Sequence, residues 1–166
     1  MKRERGAFRY QRMQILEGFD NDAYRPAGKP VGPILCPTCK AVFRRGRWRW
    51  GAPPAGAVRR KCPACRRIAE NYPAGYITLS GAFFREHRDE VIARIGHCET
   101  QEKAAHPLER VMDVEESSRG TQVTTTSVHL ARLIGHALQH AFKGELSQSY
   151  SRGDNVLRVR WSRADA

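Results

Sequence analysis

The chain contains no apolar run approaching the roughly 20 residues that a membrane-spanning helix needs, and no charged-then-apolar leader at its start. That absence sets the expectation of a cytoplasmic protein with no membrane partner. Acidic residues are scarce in one half only. Residues 1–75 hold 17 lysines and arginines against 5 aspartates and glutamates, whereas residues 76–166 hold 12 of each. The net charge of +12 therefore belongs to the first half, and it points to a polyanionic partner such as nucleic acid. Histidine is missing from that half as well: all six follow residue 86. A step this sharp predicts a boundary near 73–75 between a basic module and a near-neutral one.

Signatures of catalysis are also lacking. There is no nucleophile elbow, no glycine loop that cradles phosphate and no pair of helical histidines flanking a glutamate. Glu115 and Glu116 are adjacent, so a strand turns them to opposite faces and they cannot act as an acid and base couple. His136 and His140 stand at helical spacing, but with His129, Arg132 and Lys143 they read better as a polar face that meets a partner. The expectation is a protein that is not an enzyme and has no small-molecule substrate.

Cysteine is sparse, and its number, 5, is odd, which argues against a disulfide framework. Four of the five are nevertheless organised. Cys36-Pro37-Thr38-Cys39 and Cys62-Pro63-Ala64-Cys65 are two knuckles with 22 residues between them, a little beyond the roughly 15–20 usual for such sites. Within a knuckle, two thiolates two residues apart point at one ion, and two knuckles complete a tetrahedral four-sulfur site. No coordination position stays open for chemistry, so one structural Zn2+ on Cys36, Cys39, Cys62 and Cys65 is expected. The module holding it, zinc-ribbon or treble-clef-like, spans 35–75. Cys98 lies on an apolar stripe and reads as a core thiol.

Arginine crowds around these knuckles. Arg44, Arg45, Arg47 and Arg49 interleave with Phe43, Trp48 and Trp50, a combination that forks onto phosphates and stacks bases, and so suits RNA. One of the two tryptophans is expected to pack over the metal, because so small a module has little other core. Arg59, Arg60, Lys61, Arg66 and Arg67 flank the second knuckle and extend the patch. Residues 1–34, with Arg9 and Arg12 among their basic side chains, read as an arm that orders only on a partner.

Regular patterning begins at Tyr76. Alternation over 76–80 predicts a strand, and Phe84, Val91, Ile95 and Cys98 predict a helix over 82–105, kinked at Gly96 and stopped by Pro107. Strands at 109–116 and 121–126 follow, joined by a turn at 117–120. Ser127 then caps a helix that has Leu130, Leu133, Ala137, Leu138 and Phe142 on its apolar face. Strands near 145–149 and 156–161, with a turn at 153–155, complete the chain. The predicted class is α+β: the zinc module, then a ferredoxin-like split βαβ sandwich over 76–162 with one extra hairpin strand. Alternation leaves Tyr76, Thr78, Arg158 and Arg160 on the helix-free face of its sheet, where the two arginines form a second, smaller RNA surface.

Cys36-Pro37-Thr38-Cys39 followed by Gly46-Arg47-Trp48 resembles a known arrangement, as does the tail from Gly120-Thr121-Gln122-Val123 through Ala131-Arg132-Leu133 and Glu145-Leu146-Ser147 to Arg158-Val159-Arg160. Both are similar to the archaeal and eukaryotic adaptor family that binds the large ribosomal subunit during its export or late maturation, together with bacterial relatives. The resemblance implies a zinc module and an α/β module that dock on ribosomal RNA without catalysis. The chain carries four suitably spaced cysteines where archaeal members have more zinc ligands, so the substrate class is carried over and the biological step is not. The expected function is a ribosome or ribosomal-RNA binding factor acting in large-subunit maturation, quality control or dormancy. Two other classes compete: a DNA-associated regulator, for which no recognition helix stands among the basic residues, and a protein-interaction adaptor working through the helix at 127–143.

Overall fold

A four-stranded and a five-stranded sheet carry the chain in the computed structural model, which describes residue 24, residues 31–151, residue 153 and residues 155–165. The expected arm at 1–34, with Arg9 and Arg12, lies outside the described residues except for Tyr24 and 31–34. No helix among the described residues is long and apolar enough to cross a membrane.

The first sheet is built from very short strands: β1 (Ile34–Leu35), β2 (Val42–Arg44), β3 (Arg47–Arg49) and β4 (Val58–Arg59), followed by helix α1 (Pro63–Glu70). Its order is β3-β2-β1-β4, antiparallel except for β4, which runs parallel to β1. Between β2 and β3 the two turn residues Arg45 and Gly46 both have positive φ, 52° and 80°. Two such residues in a row make the tight hairpin turn whose twist matches that of the flanking strands.

The second sheet is formed by β5 (Gly75–Ser80), β6 (Val111–Ser117), β7 (Gly120–Thr125), β8 (Glu145–Ser151) and β9 (Val156–Ser162), in the order β6-β7-β5-β9-β8. Helices α2 (Ala82–Glu86), α3 (Arg88–Ala105) and α4 (Val128–Phe142) supply the remaining elements. The expected sequence of strands and helices is present, and β5, β6 and β7 follow the split order, with β7 antiparallel between the other two. The last pair departs from a plain sandwich. The strand leaving α4 does not settle beside β5; it takes the outer edge, and β9 returns between them, parallel to β5. Composition explains the choice. β9 buries Val156, Leu157, Val159 and Trp161, whereas residues 147–150 of β8 are exposed, so the apolar strand occupies the interior position.

The core lies between this sheet and the helices, around Ile77, Leu79, Val123, Leu130, Ile134, Leu138, Leu157 and Trp161, all fully buried. The Trp161 indole donates to Lys143 O at 2.8 Å, so the largest core side chain leaves no polar atom unpaired. Ser127 caps α4 as expected, its hydroxyl accepting from Leu130 N at 2.9 Å. Ile134 takes the centre of the buried face of α4, with Leu133 and Ala137 packed at its margin.

The helix expected over 82–105 is two helices, and the break falls at His87 rather than at Gly96. Phe83 and Phe84 both have to enter the core, and His87 (φ −113°, ψ 29°) re-aims the chain so that Val91, Ile95 and Cys98 do the same. Gly96 sits on the exposed side of α3 with nothing within 4 Å of where a Cβ would stand. Gly75 is the opposite case, since a Cβ there would lie 2.5 Å from Ala131 Cβ and 2.6 Å from Thr125 Oγ1. In urea unfolding, Gly96→Ala is expected to stabilise the chain by roughly 0.5–1 kcal/mol. Gly75→Ala is expected to destabilise it by about 1–3 kcal/mol through overpacking.

Candidate metal centre

The four paired cysteines converge. Their Sγ atoms all lie within 4.8 Å of one another, and Cys39 Sγ is 3.8 Å from Cys62 Sγ. A tetrahedral ion with bonds of about 2.3 Å requires sulfur–sulfur edges of about 3.8 Å. The donor set therefore fits a closed, four-thiolate ion site, and among the described residues it is the cluster able to hold a metal. All five cysteines are free thiols, Cys98 buried in the α/β core.

Local structure aims each sulfur. The first knuckle follows β1 and is closed by Cys36 N donating to Ala41 O at 2.8 Å and Lys40 N donating to Cys36 O at 2.9 Å, with Lys40 at φ 68°. The second knuckle starts α1: Cys62 is its N-cap, its sulfur accepting from Cys65 N at 3.3 Å, and Pro63 occupies the first turn, where a missing N–H costs nothing. Cys62 N in turn donates to Cys36 Sγ at 3.3 Å and ties the knuckles together. A helix N-terminus and aimed backbone N–H groups both favour sulfur in its anionic form.

Burial and mutual charge decide how the thiols behave before an ion arrives. Burial acts to raise Cys36, but N–H groups of Cys39, Cys62 and Thr38 outweigh it and hold that thiol down at about 6. Cys62 is driven far up, by burial and by the charges of Cys39 and Cys65. Cys65 is also raised by burial, against the opposing pull of Arg110. The cluster thus keeps protons that a divalent cation must displace.

Three side chains outside the knuckles close the site. Trp48 packs against the sulfur cluster, with the Phe43 ring 5.5 Å away, and Leu108 covers another side. Arg110 Nη1 donates to Cys65 Sγ at 3.2 Å. Sequence reading missed Leu108 and Arg110, which stand 43 and 45 residues beyond Cys65 and carry no spacing signal. Trp50 donates through Nε1 to Lys103 O, 2.7 Å away at the end of α3, while its residue stays 39% exposed.

Strand register sorts the basic residues. Arg44 faces Arg47 across the hairpin, Val42 faces Arg49, and Leu35 is opposite both Val42 and Arg59. Directly paired residues share a face, and so do residues two apart in a strand. Arg44, Arg47, Arg49 and Arg59 therefore project from one face of the small sheet, and all four are exposed. Arg45 is exposed at the hairpin tip, and Arg60, Lys61 and Arg66 are exposed around the second knuckle.

Arg67 corrects the expectation of an open contact residue. It is only 7% exposed, with Nη1 donating to Tyr72 O at 3.1 Å and its guanidinium 4.3 Å from the Tyr24 ring centroid. The cause is its place on the inner side of α1, with Ala64 and Cys65. Arg158 and Arg160 are exposed on the other sheet, on the helix-free face, where Arg158 lies 4.9 Å over the Tyr76 ring.

Calorimetric titration of the reduced, metal-free chain with Zn2+, run in buffers of different protonation enthalpy, is expected to show net proton release at about pH 7. Affinity is expected to fall as the solution is acidified; an affinity indifferent to pH contradicts the thiol cluster as the site. No protein-family model, no curated protein and no solved structure matches this chain.

Proposed function

We propose that this chain is a noncatalytic RNA-binding protein in which one structural Zn2+ stiffens a basic surface, and that it docks on ribosomal RNA, with the large subunit as the particle. The observation that carries the reading is the face shared by Arg44, Arg47, Arg49 and Arg59, all exposed, on a sheet whose first strand runs directly into the ligand Cys36. Zinc is the ion that four thiolates in a closed tetrahedral set favour.

Such a surface suits folded RNA on physical grounds. Arginine presents a planar fork that grips phosphate in two places and stacks on bases, and seven of the eight exposed basic residues of the patch are arginine. Neighbouring strands lie about 5 Å apart, so guanidiniums on three of them reach several phosphates at once. Trp48 is used in packing against the sulfur cluster, which leaves Trp50 as the ring available for stacking. On the helix-free face of the large sheet, Tyr76, Arg158 and Arg160 add a second contact. The ribosomal assignment follows the resemblance of Cys36–Cys39, Gly46-Arg47-Trp48 and the tail to the large-subunit adaptor family, and it places the chain in the cytoplasm.

Replacing Arg44, Arg47 and Arg49 by glutamate is expected to abolish cosedimentation with ribosomal particles while zinc content stays unchanged. Undiminished cosedimentation overturns the proposed surface. Raising salt from low to moderately high is expected to weaken binding by about tenfold or more, because each phosphate contact releases counterions. Competition by duplex DNA as strong as by ribosomal RNA favours the DNA-associated reading instead.

A further inference from the structure

Among the described residues, Arg110 is the charged side chain that reaches the sulfur cluster from the α/β half of the chain, just before β6. It is 8% exposed, and its two ends do different things. Its backbone is pinned to the end of β7: Arg110 N donates to Thr126 Oγ1 at 3.0 Å, and Thr126 N donates to Arg110 O at 2.9 Å. Its guanidinium reaches the other way. Nε donates to Pro107 O at 2.9 Å and Nη1 to Cys65 Sγ at 3.2 Å. Nη2 is buried and has no hydrogen-bond partner in the structure, on a group whose charge interacts with Cys39 as well as Cys65.

Charge accounting gives this arrangement a purpose. A divalent cation held by four thiolates carries a net charge of about −2, buried in a small module, and such a charge is costly without a cation beside it. Conversely, a buried guanidinium is costly without an anion. Each group supplies what the other lacks, and their meeting point joins the basic module to the α/β layer. Among the described residues the Leu108 side chain against the sulfurs, the Trp50 N–H on Lys103 O and the backbone hydrogen bonds of Ala74 with Thr125 and Leu157 also cross this junction, and none of them depends on the charge of the centre.

We propose that Arg110 is an outer-shell partner of the metal centre, and that it fastens the basic module to the α/β layer only while the thiolates carry metal. The proposal rests on the metal reading of the four cysteines. When the ion leaves, nothing holds the four sulfurs to one point, and the acceptor that Arg110 meets on Cys65 is no longer kept in place. Outer-shell groups that bond to ligating atoms also hold those ligands in place and slow the loss of the ion.

The test compares zinc release to a chromogenic chelator from the wild-type chain, Arg110→Lys and Arg110→Met, each first shown to carry one zinc. Arg110→Met is expected to release zinc at least about tenfold faster, in keeping with the effect of outer-shell substitutions, and Arg110→Lys at an intermediate rate. Equal rates in all three overturn the proposal while leaving the metal site standing; a wild-type chain that takes up no zinc overturns both. Should Arg110→Met fail to fold, hydrogen exchange on the wild-type chain decides. Chelation is expected to expose the Arg110 and Thr126 amides while β5 and β9 stay protected. Unchanged protection at those two amides, or protection lost evenly across both sheets, contradicts the fastening role.

Discussion

The convergence of four thiols on one point is the constraint from which the basic half takes its shape. Strands of two and three residues cannot hold a sheet by themselves, and beyond the cysteines the buried apolar side chains of the small sheet are chiefly Ile34, Ala41 and Val42. Four thiols placed to hold one ion offer a cross-link in place of the missing core, as is common in modules this small. It does so at chosen places: one knuckle caps the end of β1 and the other starts α1, so the ligands fix the strand register and the helix together.

Register then organises charge. Like charges crowded on one face repel, and without a stiff support they separate toward solvent. Held by paired strands, Arg44, Arg47, Arg49 and Arg59 keep a common direction, and the side of the sheet bearing Phe43 and Trp48 packs toward the sulfurs. The large sheet follows a different logic. It has an ordinary apolar core, covers one face with helices and leaves polar side chains on the other, with Arg158 lying over Tyr76. The basic excess and the four-thiol cluster thus belong to the half that could not fold on apolar burial alone.

Features set by short-range chemistry were legible in the sequence. The ligand set follows from two knuckles, the α4 cap from a serine three residues before its first buried leucine, and the open-face positions from strand alternation. What the sequence hid depends on contacts distant along the chain. The interior place of β9 reflects competition between two strands for the slot beside β5, won by burial of Leu157, Val159 and Trp161. Arg67 looks like one more surface arginine until α1 is seen to turn it inward beneath Tyr24. The helix break at His87 follows from where Phe83 and Phe84 have to point, and no breaker residue announces it. Arg110 has no motif around it; its meaning comes only from its meeting with Cys65.

The central claim is that a metal-held platform presents arginines to folded RNA. The most direct measurement is the affinity of the reduced chain for ribosomal RNA before and after the ion is stripped, with the fold of the large sheet monitored in the same samples. The account predicts one zinc per chain and strong binding beforehand, then binding reduced to the weak level of an unstructured basic segment, with the large sheet intact. A stripped chain that binds ribosomal RNA as tightly as the loaded one would contradict it.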